Sequence, residues 1–143
     1  MLKLRKEIVV KAPIAEVFDY IDEPANLPQI WPGLFEVKDV ATLPTGGHKW
    51  QFLYNFAGKH VKGTTETFER VPYERIVDKT MGEVKSTFTW KFLGQNGTTK
   101  IFLEAEYEPP KFFTKEQMPF VLRHNEYEAE NVLANLKAWF EAS

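Results

Sequence analysis

Cysteine is absent from the chain, which excludes a disulfide framework, a thiol nucleophile and a thiolate metal site. Long apolar runs are also missing. Near the N-terminus the longest is Ile8-Val9-Val10, far short of the ~20 residues of a membrane helix and of a signal peptide's core. Charge of one sign is not concentrated anywhere. Lys and Arg are scattered and the formal net charge is −2, so the basic face that nucleic acid requires is not present. The three histidines form no site, since strand alternation turns His60 away from His48 and His124 lies off the buried stripe of the C-terminal helix. HExxH does not occur, and no carboxylate cluster has metal-ligand spacing, so neither metal nor cofactor is expected. Thr45-Gly46-Gly47 leads into a strand rather than a helix, so it is not a phosphate loop. The expectation from these absences is a soluble cytoplasmic protein without stable membrane insertion.

Aromatic residues are plentiful. Twelve Phe, five Tyr and four Trp make up 15% of 143 residues, a length that suits one domain, residues 1–143. That many rings can fill a small core, and they can equally line a pocket for a greasy or planar molecule.

The chain is organised around its tail, Thr114 to Glu141. Met118, Val121, Leu122, Ala129, Val132, Leu133, Leu136, Trp139 and Phe140 fall on one stripe at 100° per residue, with Arg123, Glu130, Lys137 and Glu141 opposite. Thr114 with Gln117 has the pattern of a capping box, and Pro119 suits a first helical turn. Asn125 interrupts the stripe. It is either an amide satisfied inside the core or a group facing a cavity. The acidic run Glu126, Glu128, Glu130 reads as a solvated face that suits the helix dipole.

Upstream, Leu4 to Lys11 is a first strand. Ile14, Val17, Phe18 and Ile21 mark a short helix, and a second short turn holds Leu27 and Ile30 before Trp31-Pro32-Gly33 breaks it. The period then changes to two. Strands are expected over Phe35–Thr42, His48–Phe56, Lys59–Val71, Glu74–Met81, Val84–Leu93 and Thr98–Glu108, separated by short turns, of which Asn96-Gly97 is the strongest hairpin signal. The fold class is therefore α+β: a curved antiparallel sheet of about seven strands gripping a long C-terminal helix, with two short helices between strands 1 and 2.

Ala12-Pro13, Val17-Phe18-Asp19-Tyr20-Ile21, Pro24, Asn26-Leu27-Pro28 and Trp31 together resemble the opening of the START/polyketide-cyclase-like (SRPBCC) superfamily. Pro72-Tyr73-Glu74-Arg75-Ile76 and Gly97-Thr98-Thr99 resemble its mid-sheet turns. The resemblance implies the helix-grip fold, with a hydrophobic cavity between sheet and C-terminal helix. It spans lipid carriers, aromatic-polyketide cyclases and plant hormone binders, and no catalytic motif of the cyclases transfers residue by residue.

Turn geometry fixes which side chains share a face. From Asn96-Gly97, Phe92 faces Ile101, Trp90 faces Leu103, Phe88 faces Ala105 and Ser86 faces Tyr107. From Ala57-Gly58, Trp50, Phe52 and Tyr54 join Thr65, Gly63 and Val61. A two-residue turn at Pro72-Tyr73 pairs Thr67 with Asp78, and a three-residue turn at Met81-Gly82-Glu83 pairs Asp78 with Ser86. Chained together, these registers give one inward polar row: His48, Thr67, Asp78, Ser86, Tyr107. The expected ligand-binding set is Phe52, Tyr54, Thr67, Asp78, Ser86, Phe88, Trp90, Tyr107 and Asn125. Asp78, Tyr107 and Asn125 would take a polar end, with the rings around an apolar body. A one-residue slip at Gly82 would instead turn Asp78 outward and bring in Lys79 or Arg75.

The leading expectation is non-enzymatic binding, extending to transport, of a small hydrophobic or aromatic, lipid- or polyketide-like molecule; a homodimer is compatible with it. The alternatives are a cyclase or dehydratase using Asp78, His48 or Tyr107 as acid or base, or a protein-interaction module with a filled core. A Ser86–His48–Asp78 nucleophilic arrangement is excluded, because the row separates His48 from Ser86 by about three strands, or ~14 Å.

Overall fold

The structure is a computed structural model and describes residues 1–142. Strand β1 (Leu2–Val10) is followed by helix α1 (Ile14–Asp22), a 3-10 turn (Pro24–Asn26) and the short α2 (Leu27–Ile30). Strands β2 (Leu34–Thr42), β3 (His48–Phe56), β4 (Lys59–Val71), β5 (Arg75–Gly82), β6 (Lys85–Gln95) and β7 (Thr98–Glu108) then run as consecutive hairpins. A 3-10 turn (Lys115–Gln117) leads into α3 (Met118–Glu141). Every strand pairing is antiparallel, in the order β1-β7-β6-β5-β4-β3-β2. This is the antiparallel sheet and long C-terminal helix that the periodicities predict, and the helix-grip fold that the resemblance implies. The first strand lies beside the last because β1 alternates exposed and shielded residues that match β7 over its whole length.

The hairpin turns obey backbone chemistry. Asn96 and Gly97 both have positive φ, 50° and 81°, as a two-residue turn matched to strand twist requires. Ala57 and Gly58 do the same at 49° and 93°. These two turns set the predicted β6–β7 and β3–β4 registers, including Trp90 opposite Leu103 and Phe52 opposite Gly63.

The β4–β5 turn differs from expectation in an instructive way. It holds three residues, with Val71 opposite Arg75 and Tyr73 at a φ of 61°, which shifts the register by one. A bulge at Phe68 then restores it, so Thr67 still pairs with Asp78. The ring of Phe68 is left exposed, where Lys79 sits 3.9 Å over it. Beyond Gly82 the turn is longer than predicted. Asp78 pairs with Phe88 rather than Ser86, and Ser86 pairs with Thr80. That offset is two residues, so the faces are unchanged and Asp78 stays inward.

Helix α3 lies along β1 and buries Val121, Asn125, Glu128, Ala129, Val132, Leu133 and Leu136. Trp139, assigned to the stripe, is instead 54% exposed and packs on Tyr20. The helix start is tied by Gln117, whose side chain accepts the Thr114 N–H at 2.8 Å. Helix α1 closes one end of the sheet, where Arg70 of β4 holds Asp22 at 2.8 Å and lies over the Phe18 ring. The buried apolar residues form two clusters. The larger one contains Trp50, Phe52, Trp90, Leu103 and Leu136, and the smaller one Phe56, Val61, Ala105, Tyr107 and Val121.

Gly63 lets the Phe52 ring and the β5 backbone close on β4. A Cβ there would stand 2.4 Å from the Met81 carbonyl oxygen and 2.8 Å from Phe52 Cζ. Gly63→Ala is therefore expected to cost about 1–3 kcal/mol by overpacking, seen as a lower urea midpoint at unchanged m-value. A midpoint equal to wild type would show that β4 and β5 can part without penalty.

Candidate functional site

Leu4, Tyr54 and Phe88 pack against both clusters, but the side chains do not fill the space between them. A cavity of about 110 Å3 remains there under α3, on the scale of the ~150 Å3 apolar cavities that admit benzene. Its walls are mainly rings: Trp31 from the α2–β2 connection, Trp50, Phe52, Tyr54 and Phe56 from β3, Phe88 and Trp90 from β6, and Tyr107 from β7. Trp31 packs edge-on against Phe88 and Trp90, with centroids at 5.1 and 6.2 Å. Such edge contacts between large rigid rings leave corners that aliphatic side chains would fill.

Of the predicted site residues, Phe52, Tyr54, Asp78, Ser86, Phe88, Trp90, Tyr107 and Asn125 line this cavity. Thr67 does not line it but holds Asp78 from behind. The Thr67 hydroxyl donates to Asp78 Oδ1 at 2.9 Å and accepts the His48 backbone N–H at 3.1 Å. Room for that hydroxyl comes from Gly47, where a Cβ would meet the Thr67 Cβ at 2.5 Å. The His48 ring is not among the lining groups. The single predicted row is in fact two. His48, Thr67, Asp78 and Phe88 form one, while Thr65, Thr80, Ser86 and Tyr107 form the next.

The polar groups sit at separate stations. Asp78 is 8% exposed, and burial pushes its carboxyl up to about 6; the Thr67 bond opposes that rise and the charge of Asp22 adds to it. Asn125 Nδ2 donates to Tyr107 Oη at 2.5 Å, so the interruption in the helix stripe is both satisfied and cavity-facing. Thr80 donates to the Val84 carbonyl at 3.2 Å and pairs with the Ser86 hydroxyl.

The fourth station departs from expectation. Glu128, assigned to a solvated acidic face, is 8% exposed and lines the cavity. Its Oε1 accepts Trp31 Nε1–H at 2.7 Å and the Tyr54 hydroxyl. Burial raises the Glu128 carboxyl while these bonds and the His124 charge lower it; burial together with Glu128 drives the Tyr54 phenol well up. Gly33 makes the approach possible, because a Cβ there would lie 2.8 Å from Glu128 Oε2 and 2.7 Å from Tyr54 Cε1. Glu128 stands at i+7 from Val121 and i−4 from Val132, which puts it on the buried stripe. That spacing was the available signal, and the neighbouring acids hid it. Trp31 and Thr80 were also missed: Trp31 reads as a helix breaker, and Thr80 depends on the longer β5–β6 turn.

A family described as polyketide cyclase / dehydrase and lipid transport matches residues 1–141. The chain belongs to that family. Similar solved structures include a START superfamily protein from Mycobacterium smegmatis, 14% identical with a TM-score of 0.83, covering 98% of this chain and 97% of that one. The Zhui aromatase/cyclase from Streptomyces sp. R1128 is 13% identical with a TM-score of 0.74, covering 96% and 94%. The di-domain ARO/CYC BexL from the BE-7585A biosynthetic pathway is 24% identical with a TM-score of 0.72, covering 96% of this chain and 45% of that one. No curated protein matches the chain. At these identities the structures establish the fold that this polyketide cyclase/dehydrase-family protein shares with them. Among the described residues no helix is long and apolar enough to cross a membrane, and no group of three His, Asp or Glu is placed to hold a metal ion.

The Asp78 carboxyl is raised in the folded state, to about 6 from 3.8, so the native protein binds this proton more tightly than the unfolded chain. Its stabilising contribution is complete below the unfolded value and is lost as pH rises through about 6. Asp78→Asn should therefore flatten the fall in urea midpoint between pH 4 and pH 7 and make the variant the more stable protein at pH 7.5. Parallel profiles for the two proteins would contradict this burial argument.

Proposed function

We propose that this protein binds, and carries, a small hydrophobic or aromatic molecule of lipid- or polyketide-like character in the cavity between sheet and α3. The observation that carries the reading is the cavity itself. Twenty-one aromatic residues in 143 are more than enough to plug one interior, yet a space of about 110 Å3 stays open among them. An unfilled apolar cavity costs stability in proportion to its volume, and a ligand occupying it recovers those contacts.

The polar stations support binding in a fixed orientation. They are spread over β5, β6, β7 and α3, so a molecule with one or two polar atoms has a favoured way to lie. A second reading, cyclisation or dehydration of a carbonyl-bearing substrate, draws on the raised Asp78 carboxyl and on Tyr107, which line the same cavity at separate stations. His48, the third candidate for that chemistry, contributes its backbone N–H to Thr67. The binding reading requires only the space, and so stands first. An interaction module with a filled core would need an interior without this space.

Ala105 offers a test that leaves the aromatic and polar wall residues in place, since it lines the cavity with a single methyl and is 6% exposed. Ala105→Phe should plug the space and weaken binding of naphthalene, followed by its fluorescence, by at least tenfold (about 1.4 kcal/mol). Native mass spectrometry of wild type from its own host should show a bound small molecule that the variant lacks. Equal naphthalene binding by both proteins, with no co-purifying mass, would sink the proposal.

A further inference from the structure

The ionisable groups around the cavity are all acids. Asp78, Glu128, Tyr54 and Tyr107 line it, and no Lys, Arg or His does. A buried carboxylate is ordinarily matched by a cation or by several donors. Glu128 has two, the Trp31 N–H and the Tyr54 hydroxyl, both on Oε1. Asp78 has one, the Thr67 hydroxyl on Oδ1. Among the described residues its Oδ2 receives no hydrogen bond, although the side chain is 8% exposed and belongs to the cavity wall. The groups around Asp78 offer it no compensation. Across the sheet it faces Thr67 on β4 and Phe88 on β6, and the charge it feels from α1 is Asp22, which is negative. Arg70, on the adjoining strand, is already held by Asp22.

We infer that the cavity takes a ligand bearing a protonated amine, seated on Asp78 Oδ2, with its aromatic or aliphatic body among the rings. This specifies the ligand class of the binding function proposed above and rests on it. The walls nearest Asp78 agree with a cation. Phe88 is its cross-strand partner, and Trp90 pairs with Ile76 one inward position along; ring faces attract ammonium groups. An anionic head, such as a fatty-acid carboxylate or a phosphate, would meet two carboxylates and no cation. Such ligands are disfavoured by like-charge repulsion from these largely buried carboxylates. The raised Asp78 carboxyl is consistent with a site whose counter-charge arrives with its ligand.

Three probes of one shape separate the possibilities: 2-phenylethylamine, n-propylbenzene, which has a methyl in place of the ammonium, and 3-phenylpropionate. By calorimetry at pH 7.5, wild type should bind the amine at least tenfold more tightly than n-propylbenzene, and the anion at least tenfold more weakly than n-propylbenzene. Asp78→Asn should abolish the amine's advantage over n-propylbenzene. A second readout uses wild type alone: the NMR titration midpoint of the Asp78 carboxyl should fall when the amine is bound. Binding of n-propylbenzene with no preference for the amine, or an Asp78 midpoint unmoved by it, overturns the amine assignment and leaves the cavity's binding role standing. Failure of all three probes to bind overturns both.

Discussion

A long helix laid on an antiparallel sheet must bury one face completely, and here that face contains two polar residues. Asn125 and Glu128 cannot reach solvent without lifting α3, so each is paired inside. Asn125 is tied to Tyr107 of β7, and Glu128 to Trp31 before β2 and to Tyr54 of β3. An unpaired buried polar group costs ~1–3 kcal/mol, which makes these bonds a positional constraint as much as a source of stability. Helix rotation by one residue would break all three. The helix is therefore fixed against three separate parts of the sheet layer, and the space beneath it has a defined shape.

That space exists because the rings meet edge-on and do not stack to fill the middle. Trp31, Phe88 and Trp90 meet edge-on, and Phe56 meets Tyr54 and Tyr107 in the same way at 6.0 and 5.9 Å. Edge geometry is favourable for each pair, but it sets centroids far enough apart that no side chain occupies the middle. Small residues complete the effect. Ala105 and Ala129 lie on the wall where Leu or Phe would close it, while Gly33 and Gly47 give up their own volume so that Glu128 and Thr67 can press inward.

Much of this was legible beforehand, and the reasons are local. Asn96-Gly97 and Ala57-Gly58 each close a two-residue turn, and turn length sets the pairing, so the faces of β3, β4, β6 and β7 follow from them. Asp78 faces inward as expected, though by a different route. A three-residue turn at Tyr73 and a bulge at Phe68 cancel each other, and the offset after Gly82 is even-numbered. Parity survived two errors in turn length because side-chain facing repeats every second residue. Glu128 was misread because charge was weighed above spacing; a carboxylate at a buried stripe position signals a partner across the fold.

By itself the sequence determined the element order, the alternation of strand faces, the helix stripe and the aromatic excess, since each is written in residues close together along the chain. Only the tertiary structure decided that Trp31, Tyr54 and Glu128, up to 97 residues apart, meet at one carboxylate, that Asp78 keeps one oxygen without a partner among the described residues, and that the rings leave a space among them. Those outcomes depend on how far the sheet bends around α3. Bulges in β2 and β4 set part of that bend, and a bulge arises from the competition of distant packing with local pairing, which no short stretch of residues records.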